Sequence, residues 1–399
     1  MQASPTARAR ASVLSYAQSA SFSLTLGMLT ILIPFYILSL DYSVGRLGLI
    51  ISAQGIFQVG LRLFGGVMSD RIGERYVIMA AFAAMAVGSV LMAVTGALVA
   101  LVSAQLLVGG SRSIYWTSAQ TYGSRVHEGK AAHFMSRFFG FSSAGQLVGS
   151  AAGGVLGEVF GFPWAFTVCA VLATGSLVAT FAMPTLPRKA GRTLRQILGP
   201  VPGVFKARNM VLPAFLAFAT SLAMALLSSI IPAFLQREGY SESLVGILRS
   251  VHGVGAVGIG FAFSFAIART GQKLAYGIIV AGNGALLMLA VVTADWVWLM
   301  GALMFGIGIV FNAGRVLYAS MTAEVSSPDQ RGVAMAVSGI YWAAAQLLGP
   351  AIFGPLADVT SIETALLVAG ALMLVPGLLT PLLYSLFGTR AAPEPSTAS

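Results

Sequence analysis

The feature that most constrains this chain is the recurrence of apolar runs about twenty residues long. Most are joined by connections too short to hold more than a turn. A run of that length, wound as a helix, crosses the roughly 30 Å hydrocarbon core of a bilayer. Lipid offers the backbone no hydrogen-bonding partner, so such a run is stable only when it satisfies itself as a helix. Twelve spans follow, at approximately 14–38, 45–68, 76–97, 100–123, 135–158, 162–183, 211–235, 244–268, 274–294, 296–321, 333–357 and 363–386. Only 9% of the 399 residues are charged, against about 25% in a soluble domain, which excludes a soluble enzyme. The predicted fold class is an all-α membrane protein. One cysteine, Cys169, leaves no internal disulfide and no cysteine-based metal site. No metal and no cofactor are expected. The basic start, MQASPTARAR, precedes an apolar stretch too long for a signal peptide, so the first span is read as retained.

One polar stretch interrupts the pattern. Residues 184–209 carry Arg188, Lys189, Arg192, Arg195, Lys206 and Arg208 and no acid. They divide the chain into a bundle over 1–187, a basic linker over 188–208 and a second bundle over 209–399. Lys and Arg also set the orientation. With both termini cytoplasmic, the inner tails and loops hold 17 of the 23, and the outer loops hold only Arg46, Arg237 and Arg249. Arg62, Arg112 and Arg315 fall inside spans. This is the positive-inside pattern of a plasma-membrane protein. It accounts for a formal charge of +10 by contact with anionic lipid, without nucleic acid.

The two halves repeat each other. Ile33-Pro34 recurs as Ile231-Pro232, and at the same offset Gly48, Ser52, Gly55 and Gly60 meet Gly246, Ser250, Gly253 and Gly258. Gln54 meets His252, Arg112-x-x-Tyr115 meets Arg315-x-x-Tyr318, Gln146 meets Gln346, and Glu158 meets Asp358. Two pseudo-symmetric six-helix bundles are expected to face each other, with substrate at their interface near the midplane.

A charged hairpin, Gly66-Val-Met-Ser-Asp70-Arg71-Ile-Gly73-Glu-Arg75, joins the second and third spans. Asp70 stands at a helix C-terminus, the negative end of the dipole, so it calls for a cation or the N-terminus of another helix. Gly66 leaves a flat surface for close approach, and Gly73 can take the positive φ of a tight reversal. The hairpin resembles the cytoplasmic loop signature of the major facilitator superfamily of transporters, G-x-L-a-D-R-x-G-R-K, with Met68 and Glu74 as departures. Gly145-x-x-x-Gly149-Ser150-x-x-Gly153-Gly154 is similar to the family's antiporter motif in the fifth span, with Ser150 in place of proline. Gln105 stands where proton-coupled exporters of the family carry arginine. The resemblance covers nearly the whole chain and points to the drug-efflux branch. It implies an alternating-access carrier, and a gate in which Asp70, with Gly66, Arg71, Gly73 and Arg75, docks near Arg331 at the start of the eleventh span.

Helical rise puts Ser23, Thr25, Gln54, Gln146, Ser221, His252, Asn283 and Gln346 on the order of 12–20 Å deep, in the central third. All but Asn283 form, with Asn312, Arg112 and Arg315, the expected substrate cavity. Arg112 lies about 20 Å below the outer surface, Arg62 about 26 Å and Arg315 about 28 Å, so Arg112 is the arginine best placed to touch substrate. Gly145, Gly149, Gly153 and Gly154, with Gly349 and Pro350, are expected to let helices pack closely and, beside the repeat and the loop signature, to form a hinge between halves, and Pro34 and Pro232 to kink spans 1 and 7. No Asp or Glu falls in the middle of a span, which leaves His252 as the candidate proton relay. The expected function is export of a small amphipathic or hydrophobic compound in exchange for protons, by a monomer. The rivals are an organic-anion exchanger or uptake carrier using Arg62, Arg112 and Arg315, and, remotely, a non-transporting membrane sensor. A membrane-embedded enzyme would need paired carboxylates or His-x-x-x-His, and neither occurs.

Overall fold

The structure is a computed structural model describing residues 5–126, 131–186, 199, 201–326 and 331–387; side chains at 5–9, 62–67, 70, 124, 131–133, 136, 259–268, 331 and 332 are outside that description. The described residues form helices and no strand. The first half holds α1 (Pro5–Ser39), α2 (Val44–Ile72), α3 (Glu74–Val94), α4 (Leu98–Val126), α5 (Ala131–Phe160) and α6 (Phe162–Thr180). After a short α7 (Val201–Lys206) come α8 (Val211–Leu227), α9 (Ile230–Arg237), α10 (Glu242–Thr270), α11 (Gln272–Val292), α12 (Val297–Val325), α13 (Arg331–Val359), α14 (Ile362–Leu378) and α15 (Thr380–Phe387). The expected spans appear as α1 to α6, the pair α8–α9, α10 to α13, and the pair α14–α15. Among the described residues nine segments are individually long and apolar enough to cross a membrane, ten if the bent pair α14–α15 is one span.

Spans 7 and 12 depart from expectation. Span 7 is not kinked at Pro232 but broken before it, at Ser228 and Ser229. Pro232 sits in the first turn of α9, where its missing N–H is not needed. The Ser228 and Ser229 hydroxyls donate back to the Met224 and Ala225 carbonyls, satisfying groups that the break would otherwise strand. Span 12 bends by 63° between α14 and α15.

The repeat is visible in the packing. α1 packs on α5 as α8 packs on α13, α2 on α4 as α10 on α12, and α3 on α6 as α11 on α14. One apolar core is built almost wholly from residues between Ala11 and Met183, the other from residues between Leu212 and Met373. The halves meet chiefly where α2 lies on α13 and α5 on α10. Opposite sides of these helices therefore serve a half's own core and the partner half.

Candidate functional site

Between the halves lies a cavity walled by Leu26, Leu29, Thr30, Ile33 and Pro34 of α1, Ile51 and Gln54 of α2, Gln105, Val108 and Arg112 of α4, and Gln146 of α5. Met224 and Ser228 at the break in span 7, and Gln346 of α13, complete the wall. The cavity is narrow, about 40 Å³, room for a few waters and far below the several hundred Å³ of a drug-sized site. Its polar groups are organised within each half. Arg112 Nη1 donates to Gln54 Oε1 at 3.0 Å. Gln346 Nε2 donates to both the carbonyl and the hydroxyl oxygen of Ser221 at 3.1 Å, and the Ser221 hydroxyl donates to the Trp342 carbonyl at 2.7 Å.

The cavity thus brings together Gln54, Arg112, Gln146 and Gln346 of the expected set, with Ser221 buried behind Gln346. Others turn elsewhere. Ser23 pairs with Ser142 of α5 at 2.7 Å, and Thr25 donates to the Ser21 carbonyl of its own helix. Each lies on a face packed within its half. Asn312 donates to the Ala256 carbonyl and joins α12 to α10. Arg315 is exposed, its guanidinium 5.9 Å from the centre of the Phe311 ring. His252 is buried against Phe311 with its Nε2 unpartnered, outside the cavity wall. The Arg62 side chain lies outside the described residues.

Sequence reasoning missed Arg249. It was counted with the outer loops although the expected eighth span, 244–268, enclosed it; α10 begins at Glu242, so Arg249 stands in the second turn and is 5% exposed. It donates to Ser228 Oγ at 3.0 Å. A positional signal existed: Arg249 and His252 are three apart and share one face of an otherwise apolar helix.

The expected hinge also needs correction. A Cβ at Gly145, Gly149 or Gly153 would strike the backbone of α1 at Ala20, Leu24 or Met28, and one at Gly349 would meet Leu222 of α8. These residues cement each half internally. Spacing of four keeps Gly145, Gly149 and Gly153 on one face, while Gly154 is turned by a further 100°. Only Gly154, against Glu242 and Ser243, and Pro350, against Gly48, meet the opposite half.

At the end of the bundle away from the linker the halves are latched twice. Asp358, in the last turn of α13, accepts from the Ser43 hydroxyl at 2.6 Å and the Gly45 N–H at 2.9 Å, at the start of α2. Glu158, in the last turn of α5, accepts from the Ser243 N–H at 2.9 Å, at the start of α10. Each carboxylate stands at the unfavourable end of its own helix dipole and is satisfied by the N-terminus of a helix in the other half. Toward the linker end the packing loosens, and a Cβ at Gly60, Gly140 or Gly258 would meet nothing within 4 Å.

The hairpin at the linker end is held by its own half. Gly73 takes φ +97° and caps α2. Buried Glu74 pairs with Arg125 of α4, and Arg75 donates to the Phe181 carbonyl at 2.8 Å, while Arg71 is exposed. The gate assigned to Asp70 and Arg331 falls on side chains outside the described residues, and Gly66 is outside them too. A larger cleft of about 250 Å³, near Gly203, Asn209 and Ser326, lies between the linker and the second half, and among the described residues no charged side chain lines it.

The sequence profile of the Major Facilitator Superfamily matches residues 16–221 and again 213–399. The chain is 22% identical over 356 residues to the quinolone resistance protein NorA of Staphylococcus aureus (strain MRSA252), covering 84% of this chain and 87% of that protein. Its fold is similar to the crystal structure of the nucleoside transporter NupG, with TM-score 0.77, 15% identity, and 95% and 99% of the two chains covered. It is also similar to a bacterial homologue of the human lysosomal transporter Spinster, in an inward-facing and unoccupied conformation, with TM-score 0.71, 14% identity, and 97% and 92% covered.

Proposed function

The chain belongs to the Major Facilitator Superfamily, and we propose that it is an exporter of a small amphipathic compound, working by alternating access in the plasma membrane. The observation that carries this reading is the asymmetric contact between the halves. They are latched at one end by Asp358 and Glu158, open to added Cβ atoms at the other, and share a cavity between. With both termini cytoplasmic, the latched end faces outward, and the conformation is inward-facing. Rocking of the halves would release the two latches and bring the linker ends together, where Asp70 docks at the start of α13. The similarity to a quinolone resistance protein supports export rather than uptake.

Exchange against protons is the accompanying energy source. Among the described residues no carboxylate lines the cavity, so His252 is the titratable side chain proposed to relay them. The carrier is proposed to act as a monomer.

The test is a growth-inhibition and accumulation panel in an efflux-deficient bacterial host. The intact protein lowers accumulation of some compound, Asp70→Asn abolishes that effect at unchanged membrane expression, and His252→Gln removes its dependence on pH. Asp70→Asn protein that exports normally would sink the gate. Full pH-dependent export by His252→Gln would sink the relay.

A further inference from the structure

The cavity between the halves is lined with carboxamides. Gln54, Gln105 and Gln146 come from the first half and Gln346 from the second, and among the described residues Arg112 is the one charged member of the wall. The other polar side chains there are engaged. Thr30 donates to the Leu26 carbonyl, Ser228 to the Met224 carbonyl, and Arg112 to Gln54. The glutamines are not used up in this way. Gln105 is 2% exposed, yet neither its carboxamide nor that of Gln146 hydrogen-bonds to a described residue. Unlike Gln58, whose Nε2 is closed off by packing, both amides stay open to the cavity. A buried amide without a partner costs free energy unless water or a ligand supplies one.

Gln54 and Gln346 each keep one amide atom for the cavity, and their fixed partners decide which. An arginine only donates, so Arg112 faces the Gln54 oxygen and the Gln54 Nε2 is left over. A carbonyl only accepts, so the Ser221 carbonyl faces the Gln346 nitrogen and the Gln346 Oε1 is left over. The first half therefore offers the cavity a fixed donor and the second half a fixed acceptor.

We infer that the transported compound is uncharged and carries a lactam edge, an N–H set beside a C=O, which these amides read from both halves. The inference rests on the transport reading and names the chemistry of its substrate. A carboxamide pairs at two points with a group that sets a donor beside an acceptor, and Gln105 and Gln146 keep both atoms for such a pairing. The lactam C=O accepts from Gln54 Nε2, and its N–H donates to Gln346 Oε1. The described wall holds no acid for a cationic substrate, and its arginine is already engaged by Gln54. The cavity of about 40 Å³ has room for the few waters that such an edge displaces. The apolar body enters as the halves part, and Leu29, Ile33, Ile51 and Val108 offer it apolar surface. A ligand bonded to one amide from each half favours the arrangement that brings both within reach, so it biases the rocking equilibrium.

The test is equilibrium dialysis of radiolabelled isoindolinone, a bicyclic lactam, against the full chain in lipid nanodiscs, with empty nanodiscs subtracted. Phthalide replaces the lactam N–H by a ring oxygen at nearly the same shape, and N-methylisoindolinone blocks the same donor. Isoindolinone is expected to bind about tenfold more tightly than either, because without the donor the Gln346 Oε1 is left unpaired. Gln105→Leu is expected to weaken isoindolinone about tenfold at a melting temperature no lower than that of the unmodified protein. Gln346→Leu is expected to bring isoindolinone level with phthalide, a change of preference that a merely structural role would not produce. The inference is overturned if isoindolinone does not bind, or if phthalide binds the unmodified protein equally well. It is equally overturned if Gln105→Leu leaves binding unchanged, or if folded Gln346→Leu protein still prefers the lactam. Should Gln346→Leu fail to fold, Gln105→Leu and the comparison of ligands on the unmodified protein decide the matter. The transport reading is judged separately on the growth and accumulation panel, where export of any compound, with or without a lactam, upholds it.

Discussion

Glu74 and Arg125 show how much depends on which partner of a buried pair is left behind. Glu74 is 2% exposed and Arg125 16%. Arg125→Ala strands a carboxylate that water cannot reach and is expected to cost about 3–5 kcal/mol. Glu74→Ala leaves a longer cation that can extend to solvent, so its cost is smaller. Thermal melts of the detergent-solubilised variants check the order, and an equal or reversed ranking would contradict it. The sequence presented Glu74 only as a departure from the loop signature, because its partner lies 51 residues away on another helix. Arg249 was misread for a related reason. The expected eighth span enclosed it, yet it was counted with the outer loop, because whether an arginine in the first turns of a span is wet or buried depends on packing that patterning does not show. Gln54, Gln146 and Gln346, expected at the interface of the halves, do line the cavity between them. Ser23 and Thr25, expected at similar depth, face inward to their own half because rotation about a helix axis is invisible where nearly every position is apolar.

Between helices, contact distance decides what a glycine is for. At Gly149 a side chain would meet the backbone of α1 at Leu24, which cannot yield as a side-chain tip can. Gly149→Val is expected to remove most folded protein from membrane fractions, as read by size-exclusion chromatography of a fluorescent fusion. A normal folded peak would contradict tight α1–α5 packing. The broken span 7 carries a different lesson. Pro232 marked the right span, yet the break precedes it, since proline is tolerated in a first turn and the two serines can satisfy the carbonyls left by the interruption.

Across the whole molecule, the open faces at Gly60 and Gly258 and the latches at Asp358 and Glu158 lie toward opposite ends of the bundle, and the proposed rocking of the halves would act on both. Gly60→Leu and Gly258→Leu add bulk where this conformation has room. They are expected to leave melting temperature and expression near those of the unmodified protein while export falls at least tenfold, because closure of the linker ends is obstructed. Unimpaired export would show that those faces do not approach. Glu158→Gln combined with Asp358→Asn weakens both caps and is expected to lengthen the distance between spin labels at exposed Val159 and Glu238, measured by electron–electron resonance. An unchanged distance distribution would mean that apolar packing alone holds that end shut.

The dipole argument made for Asp70 ties these scales together. A carboxylate at a helix C-terminus calls for the N-terminus of another helix, and Glu158 and Asp358 have found one in the opposite half. The sequence alone determined the helical membrane class, the succession of spans, the twofold repeat and the family. These rest on local chemistry: a backbone in lipid must bond to itself, and apolar length and charge placement are written along the chain. Only the tertiary structure decided which faces meet, which end is latched, and that Arg249 is buried against Met224 and Ser228 of the cavity wall. Those outcomes depend on helix rotation and on contacts between residues more than a hundred positions apart, and a uniformly apolar helix carries no periodic signal that fixes either.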